Sequence, residues 1–222
     1  MAQNKKAQEE PQVETKNNSF EDFIKKYQNI IFWTVIGILL IVFGIMAYQK
    51  WILNPAKEEA RSQTFVAEQQ FRNGNYEQAL NGDGNNLGFL QVIDQYGKKA
   101  GEAVYFYAGI CQYELGNYAE AASLFKKYNG KDDILKARAL CCTGDAYANL
   151  GDNNAALSWY KKAAAAGENT YRAGYLFKAG QMYETLGNEA EALKCYKEIE
   201  TRYPQSMEAY DIAKYISRIE NK

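Results

Sequence analysis

Residues 115–128 read LGNYAEAASLFKKY, and the same pattern returns as LGDNNAALSWYKKA at 150–163 and LGNEAEALKCYKEI at 186–199. The glycine of this pattern recurs after 35 and then 36 residues, and a fainter copy, NGNY at 73–76, precedes them. A period in the mid-thirties that combines a tight turn with helical patterning is typical of helical repeat arrays. Such arrays stack their units into a curved surface that holds other polypeptides, so the sequence predicts an all-α, protein-binding module.

One segment near the N-terminus is apolar enough to span a membrane. Residues 30–49 contain no charged side chain, and at about 1.5 Å per residue a helix of this length crosses the hydrocarbon layer of a bilayer. Trp33 and Trp51 lie near its two ends, where aromatic rings favour the headgroup region. The segment is longer than a signal-peptide core and no small-residue cleavage site follows it. We therefore expect an uncleaved anchor rather than a signal peptide or a buried core helix.

The flanking segments set the expected topology of this span. Residues 1–19 are polar without apolar periodicity and are predicted to form a disordered cytoplasmic tail. Residues 20–29 place apolar side chains at helical spacing and predict an amphipathic helix at the membrane surface. The basic residues close to the two ends are balanced, and Lys5 and Lys6 favour an inside N-terminus. We therefore expect residues 55–222, the repeat domain, on the far side of the membrane.

The composition argues against an enzyme and against a nucleic-acid binder. The chain contains no histidine, so the usual proton shuttle and the commonest metal ligand are missing. No paired-acid, nucleophile-elbow or phosphate-loop pattern occurs. A net charge of −1 lacks the excess of Lys and Arg that binding to phosphates requires. We expect no catalytic residue, no metal, no cofactor and no small-molecule substrate.

The cysteines have two interpretations. They stand at Cys111, Cys141, Cys142 and Cys195, and none of them forms a C-x-x-C pair. Free cysteines usually behave as small buried side chains, so we expect buried or groove-lining thiols. If the domain is exported, a bridge from Cys111 to Cys141 or Cys142 is the alternative.

The repeated units resemble the tetratricopeptide repeat. That family has a small residue at its eighth position, an alanine at its twentieth and an aromatic at its twenty-fourth, with Gly-Asn or Gly-Asp between its two helices. Three units keep the small residue, the alanine and the aromatic: Gly109, Ala121 and Phe125; Gly144, Ala156 and Tyr160; Gly180, Ala192 and Tyr196. The resemblance implies a helical solenoid of about four repeats, and the amphipathic tail at 206–220 predicts a capping helix.

Two local features refine this architecture. The first unit departs most from the pattern, because residues 81–86 (NGDGNN) interrupt its second helix, which is expected to resume at 87–96. A glycine in mid-helix costs about 0.5–1 kcal/mol relative to alanine. The repeated mid-helix glycines therefore predict positions at which helix backbones approach one another closely.

In the tetratricopeptide family the first helix of each unit lines a concave face. Mapped onto this chain, that face gives the candidate partner-binding groove: Phe71, Phe106, Ile110, Tyr113, Arg138, Asp145, Phe177 and Gln181. The Lys and Asn with which some members clamp a C-terminal carboxylate are missing at the corresponding positions. An aromatic groove with few charges suits an apolar or amphipathic segment. Alternatively, these aromatics pack against the capping helix or a neighbouring unit.

The layout as a whole resembles the YfgM-type ancillary subunit of the bacterial SecYEG translocon, whose repeat domain is shared with the cell-division coordinator CpoB. A short tail, one span and a four-unit repeat domain carry this resemblance. It implies a single-pass protein of the bacterial inner membrane with a periplasmic domain that helps pass exported chains to a chaperone or foldase. A structural scaffold in envelope assembly or cell division is the alternative, and a cytoplasmic docking platform is a third possibility.

Overall fold

A computed structural model describes residues 18–221 of the chain, and over this range the fold is all-α, as predicted. The helices are α1 (Asn18–Tyr48), α2 (Asn54–Arg72), α3 (Tyr76–Asn81), α4 (Phe89–Tyr96), α5 (Ala103–Glu114), α6 (Tyr118–Lys127), α7 (Asp133–Asn149), α8 (Asn153–Ala165), α9 (Arg172–Thr185), α10 (Glu189–Arg202) and α11 (Ala209–Glu220). A π-helical segment covers Gln49–Leu53, and a short 3-10 segment covers Gly97–Ala100. The chain divides into two compact regions between Leu53 and Asn54.

The first compact region, which ends at Leu53, carries the apolar helix. Among residues 18–221 one helix near the N-terminus is long and apolar enough to cross a membrane, with a mean hydropathy of 2.8 in its most apolar window. Its apolar side chains, such as Leu40 and Phe43, are exposed. The predicted surface helix and the predicted span as far as Tyr48 fall within α1, Gln49 begins the π-helical segment, and the predicted disordered tail lies outside the described residues except for Asn18 and Ser19. Length and composition are thus sufficient for a membrane span, and the anchoring and its topology stay predictions.

The second compact region, which begins at Asn54, is an array of helix pairs, and its repeats are numbered as units 1 to 4. Unit 1 comprises α2, α3 and α4; unit 2 is α5 with α6, unit 3 is α7 with α8, and unit 4 is α9 with α10. The second helix of a unit also packs on the first helix of the next, as α6 does on α7 and α8 on α9. The predicted interruption in unit 1 is confirmed, since α3 ends at Asn81 and α4 begins at Phe89.

The turn inside each pair is closed by a repeated set of hydrogen bonds. Gly116 has φ 84°, the left-handed region that glycine adopts most readily. The N–H of Asn117 then reaches back to the carbonyl of Gln112 at 2.8 Å, which satisfies a carbonyl at the end of α5. In unit 4 the next residue also caps the following helix, because Asn188 Oδ1 accepts from the N–H of Glu191 at 3.3 Å.

A glycine on the first helix of units 2, 3 and 4 makes room for an aromatic ring on the second helix. A Cβ placed at Gly109, Gly144 and Gly180 would lie 2.7, 2.6 and 2.4 Å from ring atoms of Phe125, Tyr160 and Tyr196 respectively. Close approach at these glycines is therefore confirmed, and at Gly144 the backbone carbonyl oxygen of Ala156 also comes within 3.2 Å of the placed Cβ. The nearest atoms belong to a ring, because the aromatic of the second helix folds across the glycine.

The array ends in an amphipathic cap. Helix α11 buries Ile212 and Ile216 in the same core cluster as Tyr196 and Ile199 of α10. On the other side of α11, Tyr210 is 90% exposed. The last repeat is thus closed by an apolar face without a further unit, which agrees with the predicted capping helix.

Candidate protein-binding site

A pocket of about 490 Å³ lies between the first helices of units 3 and 4, and we call it the α7–α9 pocket. Three groups of residues line it: Arg138, Cys141, Cys142 and Asp145 on α7; Gly174, Tyr175 and Lys178 on α9; and Thr170, Tyr171, Gln205, Ser206, Met207 and Glu208 on the loops. In the array a single second helix stands between one first helix and the next. Because α8 packs on both α7 and α9, these two first helices lie side by side. The pocket is therefore a product of repeat stacking.

One wall of the pocket holds an ion pair that the protein completes by itself. Lys178 Nζ donates to both oxygens of Asp145, at 2.6 and 2.7 Å, and Tyr160 Oη donates to Asp145 Oδ1 at 2.8 Å. Burial lowers the pKa of Lys178, but Cys141 and the Asp145 carboxylate raise it by more, so its net shift is upward. Both charges are consequently matched inside the protein, and neither is free for a ligand.

Two other side chains of the pocket, Arg138 and Tyr175, have no side-chain hydrogen-bond acceptor among residues 18–221. Arg138 is exposed, and no carboxylate of the described residues lies within ion-pair distance of its guanidinium. Tyr175 is 5% exposed, and its hydroxyl is buried without a hydrogen-bond partner. Burial raises the pKa of Tyr175, with Cys141 and Cys142 as the next causes, so the phenol stays protonated and remains a donor. An unpaired buried polar group costs about 1–3 kcal/mol, so an acceptor that reached this hydroxyl would relieve that cost.

The aromatic residues of the predicted groove make intramolecular contacts. Their ring centroids lie 5.2 Å apart for Phe71 and Tyr107, 5.7 Å for Phe106 and Phe125, and 4.9 Å for Phe177 and Tyr215. Phe106 is only 3% exposed and belongs to the core, so it presents no surface to a partner. Phe71 and Phe177 are half-buried. The contacts of Phe71 and Phe177 are those of the alternative in which the aromatics pack on a neighbouring unit or on the capping helix, whereas Phe106 packs within its own unit.

The remaining predicted groove residues fall into two groups. Ile110 and Tyr113 are half-buried beside the core of unit 2, where Tyr113 Oη accepts a hydrogen bond from Asn149 Nδ2 at 2.8 Å. Arg138 and Asp145 line the α7–α9 pocket. Gln181 is exposed on α9 and is not among the residues that line that pocket. The structure thus brings together Arg138 and Asp145 from the predicted set, and the groove as a whole stays a prediction.

Sequence reasoning missed Tyr175 and Lys178. The family mapping selects fixed positions on each first helix and passes over both residues. A signal was present, since Tyr171, Tyr175 and Lys178 follow one another at steps of four and three residues, which places them on one face of a helix. Three consecutive side chains with polar tips on one helical face indicate a surface that meets more than solvent.

All four cysteines are free thiols, so the alternative bridge from Cys111 to Cys141 or Cys142 is not formed. Burial raises the pKa of every one of them, to about 11 for Cys142 and Cys195 and to about 12 for Cys111. A thiol with so high a pKa is almost entirely protonated at neutral pH and reacts slowly. The cysteines therefore act as small packing side chains, as the sequence predicts.

We expect iodoacetamide to alkylate Cys142 at least about tenfold more slowly in the folded chain than in the urea-unfolded chain. Only the thiolate reacts, and its fraction near pH 8 falls when the folded-state pKa lies well above the unfolded one. Timed alkylation followed by peptide mass spectrometry measures the two rates. A Ser123→Cys variant supplies an exposed control thiol on α6. Reaction of folded Cys142 at the rate of that control thiol would show that Cys142 is accessible and ionised.

Comparison with known proteins agrees with the helical pairing. Models of the tetratricopeptide repeat match residues 103–131, 137–166 and 175–206. A solved structure of MamA superposes with a TM-score of 0.57 at 17% identity, covering 75% of this chain and 83% of that one. A second MamA structure gives 0.53 at 18% identity, with 70% and 93% covered. No curated protein matches this chain in sequence. At these identities the likeness to MamA shows the fold alone.

Proposed function

Because this chain carries tetratricopeptide repeats, which generally mediate protein–protein interaction, we propose that it is a membrane-anchored protein-binding module whose α7–α9 pocket holds a segment of its partner. The observation that carries the proposal is the buried Tyr175 hydroxyl, which has no hydrogen-bond partner among the described residues and lines the same pocket between two first helices as the exposed guanidinium of Arg138. A polypeptide is rich in the acceptors that such donors require. In this proposal the chain carries out no chemistry and works by holding another protein at a membrane.

In its finer form, the proposal places the module at the protein-export channel. Helix α1 anchors the chain in the bacterial inner membrane, and the repeat domain stands in the periplasm, where it passes exported chains to a foldase. The order of the two regions along the chain supports this, since one apolar helix precedes a repeat domain of four units and a cap. The wide exposure of Met207, 91%, and Tyr171, 50%, at the pocket supplies apolar surface for a chain that has not yet folded.

Photocrosslinking in native membranes tests both forms. A photoreactive residue in place of Met207 is expected to crosslink to partner polypeptides, including a subunit of the export channel, whereas one in place of Glu200, exposed on α10 and away from the pocket, gives at most traces. Adducts are identified by mass spectrometry. Equal labelling from the two positions contradicts the pocket as the binding site. Adducts with cell-division or envelope-assembly proteins alone would favour the scaffold alternative, and adducts with cytoplasmic proteins alone would favour the docking platform.

A further inference from the structure

We propose that the α7–α9 pocket selects an acidic side chain of the bound segment, whose carboxylate is received by the guanidinium of Arg138 and the hydroxyl of Tyr175. This inference rests on the proposed protein-binding function and adds the chemistry of what is bound. The two donors lie on adjacent first helices, α7 and α9. A ligand that contacts both therefore bridges units 3 and 4.

Four charged side chains line the pocket: Arg138, Lys178, Asp145 and Glu208. The pair of Lys178 and Asp145 is closed by two hydrogen bonds and contributes no net charge. The second carboxylate of the pocket, Glu208, lies over Gly174, where a Cβ would come within 3.0 Å of its Oε1. Gly174 and Tyr175 are neighbours on α9 and both line the pocket, so Glu208 lies on the pocket wall beside Gly174. Arg138 is the cation of the pocket that forms no ion pair among the described residues, and it is the group left to hold an anion.

The buried hydroxyl narrows the ligand further. Tyr175 on α9 lines the pocket together with Cys141, Cys142 and Arg138 on α7. Thiols are weak hydrogen-bond partners and leave the hydroxyl unsatisfied. An ionised carboxylate is a pure acceptor with two oxygens, and it can take a bond from each donor at once. A neutral amide has one acceptor oxygen and adds two donors that would need partners of their own.

The exposed rim of the pocket indicates that the bound carboxylate belongs to an acidic side chain of the partner and not to the partner's C-terminus. Tyr171 and Met207 line the pocket and are mostly exposed, so apolar surface continues beyond it. A polypeptide that lays apolar residues on this rim can lower one acidic side chain into the pocket while its backbone continues past. The occupant is therefore an extended segment of a partner protein in which an aspartate or glutamate lies among apolar residues.

Three fluorescein-labelled peptides test this with the full-length chain in detergent micelles. The first is Ala-Phe-Ala-Glu-Ala-Phe-Ala with an amidated C-terminus; the second carries Gln in place of Glu; the third is the Gln peptide with a free C-terminal carboxylate. Fluorescence anisotropy is expected to show the Glu peptide binding at least about tenfold more tightly than both others, as a charge-assisted hydrogen bond provides. Equal affinities, or no binding up to about 1 mM, overturn the inference. Preference for the third peptide overturns it in favour of a C-terminus.

Single-residue variants identify which side chains of the pocket produce the preference for the Glu peptide. Arg138→Gln and Tyr175→Phe are each expected to lower the preference for Glu at least about threefold. Lys136→Gln, an exposed cation of α7 outside the pocket, should leave it unchanged. Tyr175→Phe removes a hydroxyl without a partner, so its melting temperature should stay equal or rise, which a merely structural role of that hydroxyl would not allow. Full preference in both pocket variants contradicts the assignment.

The two proposals can fail separately. Crosslinks from Met207 to a protein partner, together with equal binding of the three peptides, would leave the binding module in place and remove its acidic selectivity. Preference for the Glu peptide that depends on Arg138, without crosslinks to the export channel, would keep the selectivity and remove the translocon as partner.

Discussion

Replacing Tyr196 with alanine is expected to lower the free energy of unfolding of the repeat domain by about 3–5 kcal/mol. The side chain is 0% exposed and is the largest of the fully buried ones among the described residues. Its ring fills the space over Gly180, where a Cβ would come within 2.4 Å, and lies 5.5 Å from the ring of Tyr215 on the capping helix. Alanine would therefore open a cavity where α9, α10 and α11 meet.

The hydroxyl of Tyr196 adds a separate contribution. It donates to Glu184 Oε1 at 2.6 Å, and the same carboxylate accepts from Arg218 on α11 at 2.7 Å. Tyr196→Phe keeps the ring and removes this bond, so we expect a smaller loss of about 1.5–3 kcal/mol, as for hydrogen bonds to charged groups. The difference between the two variants then measures the cavity left by the ring.

Urea titration of the full-length chain, followed by far-UV circular dichroism, measures these losses as shifts of the unfolding midpoint. Tyr210→Ala is the matched control, because it removes the same side chain from α11 at a position that is 90% exposed. We expect that control to change stability by no more than about 0.5 kcal/mol. Similar midpoints for the Tyr196 and Tyr210 alanine variants would mean that the ring over Gly180 does not hold the last unit together.

The sequence predicts features that local chemistry determines. The turn at Gly116 follows from a left-handed conformation that glycine adopts readily, and the break after Asn81 follows from a run of glycine and asparagine. Neither feature depends on distant residues. For the same reason the number of units and the capping helix could be inferred from spacing and amphipathicity alone.

Exposure could not be predicted in the same way, because it depends on which side chain of another helix covers a residue. Phe106 occupies a groove position by the family pattern, yet the rings of Phe125 and Tyr128 lie 5.7 and 6.2 Å from its own and bury it. Tyr175 becomes notable only when α7 lies beside α9 and leaves its hydroxyl without a partner. Both facts are consequences of how α5, α6, α7 and α9 pack in three dimensions.

Asp145→Ala is expected to lower the free energy of unfolding by about 2 kcal/mol, because it leaves the Lys178 ammonium and the Tyr160 hydroxyl without their acceptor. The side chains of Lys178 and Asp145 are 41% and 21% exposed, so water compensates part of the loss and the effect stays below that of a fully buried pair. The measurement is again the urea midpoint. Glu191→Ala, which breaks the exposed pair with Lys194, is the control and should leave the midpoint unchanged.

Asp145→Ala should raise the affinity of the α7–α9 pocket for the Glu peptide although it lowers the stability of the fold. Without Asp145 the charge of Lys178 is unmatched and joins Arg138 on the walls of the α7–α9 pocket, so the Glu peptide is expected to bind several-fold more tightly while the fold becomes less stable. Adding Lys178→Met to Asp145→Ala removes the extra cation, and the gain in affinity should disappear. A loss of affinity in step with stability would instead mean that the ion pair only maintains the shape of the pocket. Opposite changes in the two quantities, with the gain in affinity lost in the double variant, are the result expected if Asp145 shields the cation of Lys178 from the ligand.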